Sequence, residues 1–534
     1  MAVRRVLLAS STALLALATP TLAKLECRQP NYVTHDGKIW AQDPHTPGTE
    51  TEVTIRGVAW SGMEKENMIP DGLWDSTKRS QTGIQGTKVS KLLEFLGNNS
   101  INSVRLPLSA QYLIQNPMPQ LAYINGWENK ELSTWTNPNA VTYFDLVGRV
   151  VQTLQNQRVS VLLDIHLLDK YLQDAFWYTA PYVEIGKSPT YQAAEYLAKA
   201  FCNATYWNIL GIDLKDEMSD VQWSASAADA NPKNDWASAA TTIANRVLEL
   251  CPSWLVFVGG ASSPTTAQGF TLPDYKTPSR HWDGGNLHNA TKRPLNMTVA
   301  NKIVFAPHAH AHGKLPQNYF YGTDVNCTKD SPTDYFGFED DQLNMECVDF
   351  VNGAKVKSKM QCSTTEYGCS TYKHITGAQI ATNYKKVMDE AMGDVLKEAK
   401  TPVILGSFSG VYGAAVQPHQ TAALDFLIDY AATTLRGGYF YALNPDTEYY
   451  LEDSTNNGSG LFGKTHYGLF KTTSWQEPNT DLLEALKKLP ASAIPCYGGK
   501  NTGKGGMQSA ASATRTNLLV AIGSFVAAAM VYAM

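Results

Sequence analysis

Eight short apolar runs recur along this chain, at 55–60, 103–107, 159–166, 209–215, 254–259, 303–308, 402–406 and 438–443. Helical periodicity fills most of the gaps, over 89–97, 142–155, 190–201, 235–250 and 381–400, and 417–434 separates the last two runs. Strands that alternate with helices pair in parallel, because the helix carries the chain back to the same end of the sheet. Eight such units predict an α/β fold, most simply one closed (β/α)8 TIM barrel. An open doubly wound sheet would place a glycine-rich phosphate turn after its first strand, and here that strand ends Gly57-Val58-Ala59-Trp60. The barrel is expected over 24–497, with a cysteine-rich insertion at about 313–380. A hydrophobic content of 43% is enough for one large core.

A barrel of this kind carries its chemistry where the strands end, on the C-terminal face. Those ends hold Trp60, Arg105, Asp164, His166, Asp216, Glu217, His308, His310 and Ser407. So many polar side chains at strand ends exceed what core packing explains, and they are the candidate site.

The same segments carry a resemblance. Gly57-Val58-Ala59-Trp60, Ser103-Val104-Arg105-Leu106-Pro107, Leu163-Asp164-Ile165-His166, Asp213-Leu214-Lys215-Asp216-Glu217-Met218, Trp282-Asp283-Gly284-Gly285-Asn286-Leu287, Phe305-Ala306-Pro307-His308 and Tyr439-Phe440-Tyr441-Ala442-Leu443-Asn444-Pro445 resemble glycoside hydrolase family 5, the family of cellulases and β-glucanases. The resemblance implies a β-linked glucan, or another plant or own cell-wall polysaccharide, as partner, and no cofactor. Retaining hydrolysis sets two carboxyl groups across the scissile bond, one as acid and base and one as nucleophile. By resemblance Glu217 is the acid/base, and Arg105, His166 and His308 are supporting residues. The nucleophile position falls in Leu405-Gly406-Ser407-Phe408-Ser409, where the family has a glutamate and this chain has Ser407. Asp216 stands where the family has Asn, Met218 where it has Pro, His310 where Tyr is usual, and Tyr441 where a Trp platform is expected.

These departures predict that glucan binding persists while retaining hydrolysis is lost or strongly impaired. A neutral hydroxyl without an adjacent base is a weak nucleophile, and it offers no negative charge to an oxocarbenium-like transition state. A relocated carboxylate is the alternative. Strand alternation would point Asp216 away from Glu217, which leaves Asp446 and Glu448 as candidates. A structural cell-surface protein is a further alternative. Trp60, Trp223, Trp282, Tyr439 and Tyr441 are candidate sugar platforms, Trp60 and Tyr441 foremost. His308, His310 and His312 alternate along one face, a pattern that suits Zn or Cu. The barrel motif already accounts for His308, so no metal is assigned.

The ends of the chain speak to compartment. Arg4 and Arg5 precede an apolar run and Thr21-Leu22-Ala23, as in a cleaved signal peptide over 1–23. A linker and attachment region, 498–516, precedes an apolar 517–534 without a basic flank, as in a lipid-anchor signal. The expectation is a secreted, lipid-anchored protein on the outer face of the plasma membrane. Eight cysteines should then pair, in a connectivity that sequence does not fix; their places along the chain suggest Cys202 with Cys251, Cys27 with Cys496, and Cys327, Cys347, Cys362 and Cys369 within the insertion. Sequons at Asn98, Asn203, Asn289, Asn296, Asn326 and Asn457 fit the same setting. A net charge of −5 without a basic patch argues against nucleic acid.

Overall fold

The computed structural model describes residues 27–78, 84–169, 174–262, 272, 282–311, 318–320, 327–328, 346–351, 354–358, 368–369, 375–413, 418–445, 447–452, 460–465, 468–471 and 474–498. The expected signal peptide and anchor segments, Asp446 and His312 lie outside these residues. No helix among the described residues is long and apolar enough to cross a membrane.

Residues 29–497 form one compact unit. Its barrel strands, in chain order, are Ile55–Ala59, Ser103–Ser109, Ser160–Leu167, Ile209–Asp213, Leu255–Val258, a sixth in two pieces, Leu405–Ser409 and Gly437–Phe440. The sixth strand breaks at Ala306-Pro307. Ile303–Phe305 pairs with the fifth strand, and His308–His310 pairs with the seventh. Every pairing is parallel, the eighth strand pairs with the first, and a bridge from Phe305 to Val403 joins sixth to seventh. The predicted eightfold closure is therefore present. Pro307 explains the break, since it has no N–H to give a ladder. The strands are buried along nearly their whole length, as both faces of a barrel sheet must be.

Inside the barrel, side chains fill the space. Tyr439 is fully buried and its hydroxyl lies 2.8 Å from Ser103 Oγ. A Cβ on Gly57 would stand 2.2 Å from the Tyr439 ring, so the glycine is what admits the tyrosine. The helices pack apolar faces on the outside. Tyr143–Gln155 starts with a Thr142/Asp145 capping box and buries Leu146, Val147, Val150, Val151 and Leu154. Gly377–Glu398 starts with another, Thr376 with Gln379, so it begins a few residues inside the range expected for the insertion.

Three antiparallel strands, Asn31–His35, Lys38–Gln42 and Glu50–Val53, precede the barrel. Asp36 and Gly37 both have positive φ, the turn chemistry of a tight hairpin. The Tyr32 and Thr34 amides donate to the Ser253 and Asn301 carbonyls, just ahead of the fifth and sixth strands. This sheet thus closes the end of the barrel opposite the candidate site.

Cys202 and Cys251 are bridged, with Cα atoms 5.7 Å apart. Cys27 and Cys496 are also disulfide-bonded. In the insertion, Glu346–Val351 and Ala354–Ser358 form a hairpin whose sheet is completed by Thr447–Glu452 and Gly460–Thr465, from the segment after the eighth strand. Glu448 lies in that sheet, with its backbone opposite Lys464.

Candidate active site

The second, third and fourth strands bring Arg105, His166, Asp216 and Glu217 to one end of the barrel, and the sixth and seventh add His308, His310 and Ser407. Two clusters result.

The first is built around a guanidinium. Arg105 is fully buried. Its Nη2 lies 3.0 Å from Asp164 Oδ1, 3.0 Å from Asp213 Oδ2 and 2.8 Å from Asp216 Oδ1, and its Nε donates to Asp213 Oδ2 at 3.1 Å. His166 Nδ1 lies 2.8 Å from Asp164 Oδ2 and 3.4 Å from Asp216 Oδ1. Burial alone would drive protons off these cations. The carboxylates outweigh it: Asp164, Asp213 and Asp216 hold Arg105 well above its usual range, and Asp216 and Asp164 raise His166 to about 9. Burial likewise disfavours the Asp216 carboxylate, yet His166 and Arg105 hold its pKa below the usual carboxylate range. Asp213 is raised to about 6, because burial prevails over the single guanidinium. Lys215, also buried, donates from Nζ to the His166 carbonyl at 2.7 Å and pairs with Asp174 at 2.9 Å, tying the fourth-strand end to the third.

The second cluster surrounds Glu217. His308 Nδ1 lies 3.1 Å and His310 Nε2 2.6 Å from the same oxygen, Glu217 Oε1. His310 Nδ1 lies 2.8 Å from Ser409 Oγ on the neighbouring strand. The two imidazole planes are nearly perpendicular, at 89°. Gly284, with φ +76°, brings its loop against this group, and its carbonyl accepts from the His308 amide at 3.1 Å. Ser407 faces His308 across the strand pair and is 4% exposed.

The two clusters meet at His308, whose Nδ1 is also 3.9 Å from Asp216 Oδ1. This corrects the expectation that Asp216 and Glu217 point apart. The fourth strand ends at Asp213, so the alternation rule no longer governs 216 and 217. The Asp216 amide instead donates to the Ile165 carbonyl, which turns the segment toward the third strand.

The aromatics separate into wall and face. Trp60 is corrected as a sugar platform: it is 1% exposed, and its indole N–H donates to the Asp71 carbonyl at 3.1 Å. Tyr439, Trp223 and Trp282 are likewise buried. Tyr441 is half-buried and lies parallel to His166, within 1°, with centroids 6.5 Å apart. It remains the aromatic best placed to meet a sugar ring. Sequence reasoning met Asp213, Lys215 and Ser409 within the motifs but gave them no role, and it passed over Glu64. Glu64 is buried with Oε2 accepting from the Gly62 amide at 2.7 Å, and burial raises its pKa. For Asp213 and Lys215 the available signal was a charged residue inside an apolar run, which folding tolerates only with a partner; Glu64 lies in a polar stretch that gives no such signal.

Chemically, the first cluster fixes an anion, Asp216, which keeps 13% of its side chain exposed. The second holds a carboxyl group, Glu217, between two imidazoles, a setting suited to moving a proton. At the seventh strand a hydroxyl stands instead of a carboxylate.

A family model described as Cellulase (glycosyl hydrolase family 5) matches residues 56–435, well over half of the chain. An endoglucanase of Paenibacillus polymyxa is 26% identical over 282 residues, covering 52% of this chain and 62% of its own length. The major extracellular endoglucanase of Xanthomonas campestris pv. campestris is 29% identical over 269 residues, covering 50% and 48%. The chain therefore spans roughly half to three fifths of these curated relatives. Among solved structures, an endocellulase from Pyrococcus horikoshii in complex with cellotetraose superposes with a TM-score of 0.59 at 22% identity, covering 86% of this chain and 98% of that one. At that identity the likeness speaks to the fold.

Proposed function

The chain belongs to glycosyl hydrolase family 5, and from that premise we propose that it binds β-linked glucan on the C-terminal face of the barrel, with retaining hydrolysis of O-glycosyl bonds lost or strongly impaired. One observation carries this reading: Ser407, a hydroxyl, occupies the seventh-strand position facing His308. Glu217 can protonate a leaving oxygen, but nothing at Ser407 stabilises positive charge at the anomeric carbon. Losing one such electrostatic stabiliser costs about 2.7–4 kcal/mol, or roughly a hundred- to a thousandfold in rate. Binding needs neither group, because stacking on Tyr441 and hydroxyl contacts do not depend on an attacking carboxylate. The endoglucanases that resemble this chain make β-glucan the substrate class to try first. Disulfide usage and the apolar terminal segments favour a secreted, lipid-anchored protein that meets cell-wall polysaccharide at the cell surface. The test is a hydrolysis screen over β-glucans of different linkage, with oligosaccharide binding by calorimetry, on wild type and Ser407→Glu. Wild type should bind and turn over near background, and Ser407→Glu should gain about a hundredfold. Robust wild-type turnover would overturn the reading.

A second reading has its own observation. Asp216 Oδ1 and Glu217 Oε1 lie 3.9 and 3.1 Å from one nitrogen of His308, so they are no more than about 7 Å apart. Arg105 and His166 keep Asp216 ionised. A hydrolase that uses Asp216 as its second carboxylate would lose all turnover in Asp216→Asn and none in Ser407→Ala.

A further inference from the structure

We propose that Glu217, His308 and His310 form a binding site for a divalent first-row transition metal ion, with Zn(II) as the defining probe. The donor atoms His308 Nδ1, His310 Nε2 and Glu217 Oε1 all lie within 4.8 Å of one another. Both imidazoles are 1% exposed and the carboxylate is 12% exposed. Two histidines and one carboxylate make the donor set of three-ligand zinc sites. The two histidines come from alternate positions of one strand and so share a face. Their ring planes are nearly perpendicular, with centroids 6.4 Å apart, so the rings do not stack on one another.

The outer contact of His310 supports the same reading. When Ser409 Oγ accepts from Nδ1–H, Nε2 turns an unprotonated lone pair toward Glu217 Oε1. A lone pair and a carboxylate oxygen 2.6 Å apart require a positive charge between them. A proton supplies it at this spacing. Tetrahedral ligands at about 2.0–2.1 Å from zinc stand about 3.3 Å apart. The His308 contact is near that spacing already, and the His310 contact reaches it by a shift of about 0.7 Å, a small rotation of the glutamate. A hydrogen bond to the distal ring nitrogen is what fixes tautomer and orientation in metal-binding histidines. The other group of candidate ligands, Asp164, His166 and Asp216, does not qualify. Arg105 Nη2, within 3.0 Å of both carboxylates, already occupies the cation's place.

The inference does not depend on glucan binding, so the two readings can fail separately. The test uses the full chain, tag-free and stripped with chelator, titrated with Zn(II) by calorimetry and with Co(II) by visible absorption. One equivalent should bind, and Co(II) should give the intense bands of a tetrahedral site. His310→Ala and Glu217→Gln should each weaken binding at least tenfold with the fold retained by circular dichroism. Ser409→Ala, which leaves all three ligands in place, should weaken it about tenfold. Should His310→Ala fail to fold, Ser409→Ala and Glu217→Gln carry the test. His288→Ala, at a half-exposed histidine beside Glu390, should bind as wild type does. Absence of saturable binding to the folded wild type, or undiminished binding in Glu217→Gln, would overturn the proposal.

Discussion

At the ends of the second to fourth strands, three carboxylates share one guanidinium; at the ends of the sixth and seventh, two imidazoles share one carboxylate and a serine stands opposite. The two clusters meet at His308, yet they respond differently to substitution. In the first, Arg105, Asp164 and Asp213 are fully buried and His166 and Asp216 nearly so, and each charge depends on the others, so removing one strands the rest in a low-dielectric site. In the second, a carboxylate exchanged for a small hydroxyl leaves no buried charge behind. Folding alone therefore preserves Arg105, His166 and Asp164, whether or not the chain turns over substrate, while nothing in folding protects a glutamate at 407. Arg105 and His166 cannot by themselves be read as signs of activity. The seventh strand is the more informative place.

The strongest way to break this contrast is Arg105→Met. It takes from Asp164, Asp213 and Asp216 the guanidinium they share and leaves His166 beside two of them, and the expected loss is about 3–5 kcal/mol. Chemical denaturation measures it, and a loss below about 1 kcal/mol would mean the cluster is not held by its charges. A smaller effect comes from pH. His166 is raised to about 9 from an ordinary value of 6.5, so the fold binds its proton more tightly than the unfolded chain does. That contribution, about 3 kcal/mol at most, is complete below about pH 6.5 and is lost as pH rises through about 9. Asp213, raised to about 6, acts in the same direction in a lower window. Lys302, which burial lowers to about 8, acts in the opposite direction as pH rises past about 8, so the histidine is read as the difference between wild type and His166→Asn over pH 6.5–9.5. Wild-type denaturation midpoints should fall relative to those of His166→Asn across that range. A constant difference between the two would sink the assignment.

Much of this architecture was legible because a parallel barrel writes each strand as a short, fully apolar run and each helix as an amphipathic one. The polar ends were legible for the same reason, since Arg105, His166 and His308 interrupt those runs. Direction was not. Trp60 sits at a strand end, but its ring turns inward to the Asp71 carbonyl. Asp216 and Glu217 converge because the ladder has already stopped at Asp213. The break at Pro307 was missed, because 303–308 was read as one run, and the hairpin at Asp36-Gly37 was not read at all, although both are local signals. The sheet joining 346–358 to 447–465 pairs segments about a hundred residues apart, and no local pattern announces such a partnership.

The smallest expected effect is the one that sharpens the comparison most. Ser407→Ala removes a single buried hydroxyl, whose net worth is about 0.5–1.5 kcal/mol if it is hydrogen-bonded. It strands no charge, so stability should change by no more than about 1 kcal/mol, several-fold less than for Arg105→Met. Glucan affinity should stay within about threefold of wild type, and any background turnover should be unchanged. Each measurement separates Ser407 from a working residue. A serine activated by His308 would be a nucleophile, and its loss would cut turnover of an activated ester by more than a hundredfold. A serine that orders the pocket would show itself in the affinity. If stability, affinity and turnover all hold, the seventh-strand position is a vacancy that folding tolerates. The contrast between the two clusters is then one between charges the fold must keep and a carboxylate it could lose.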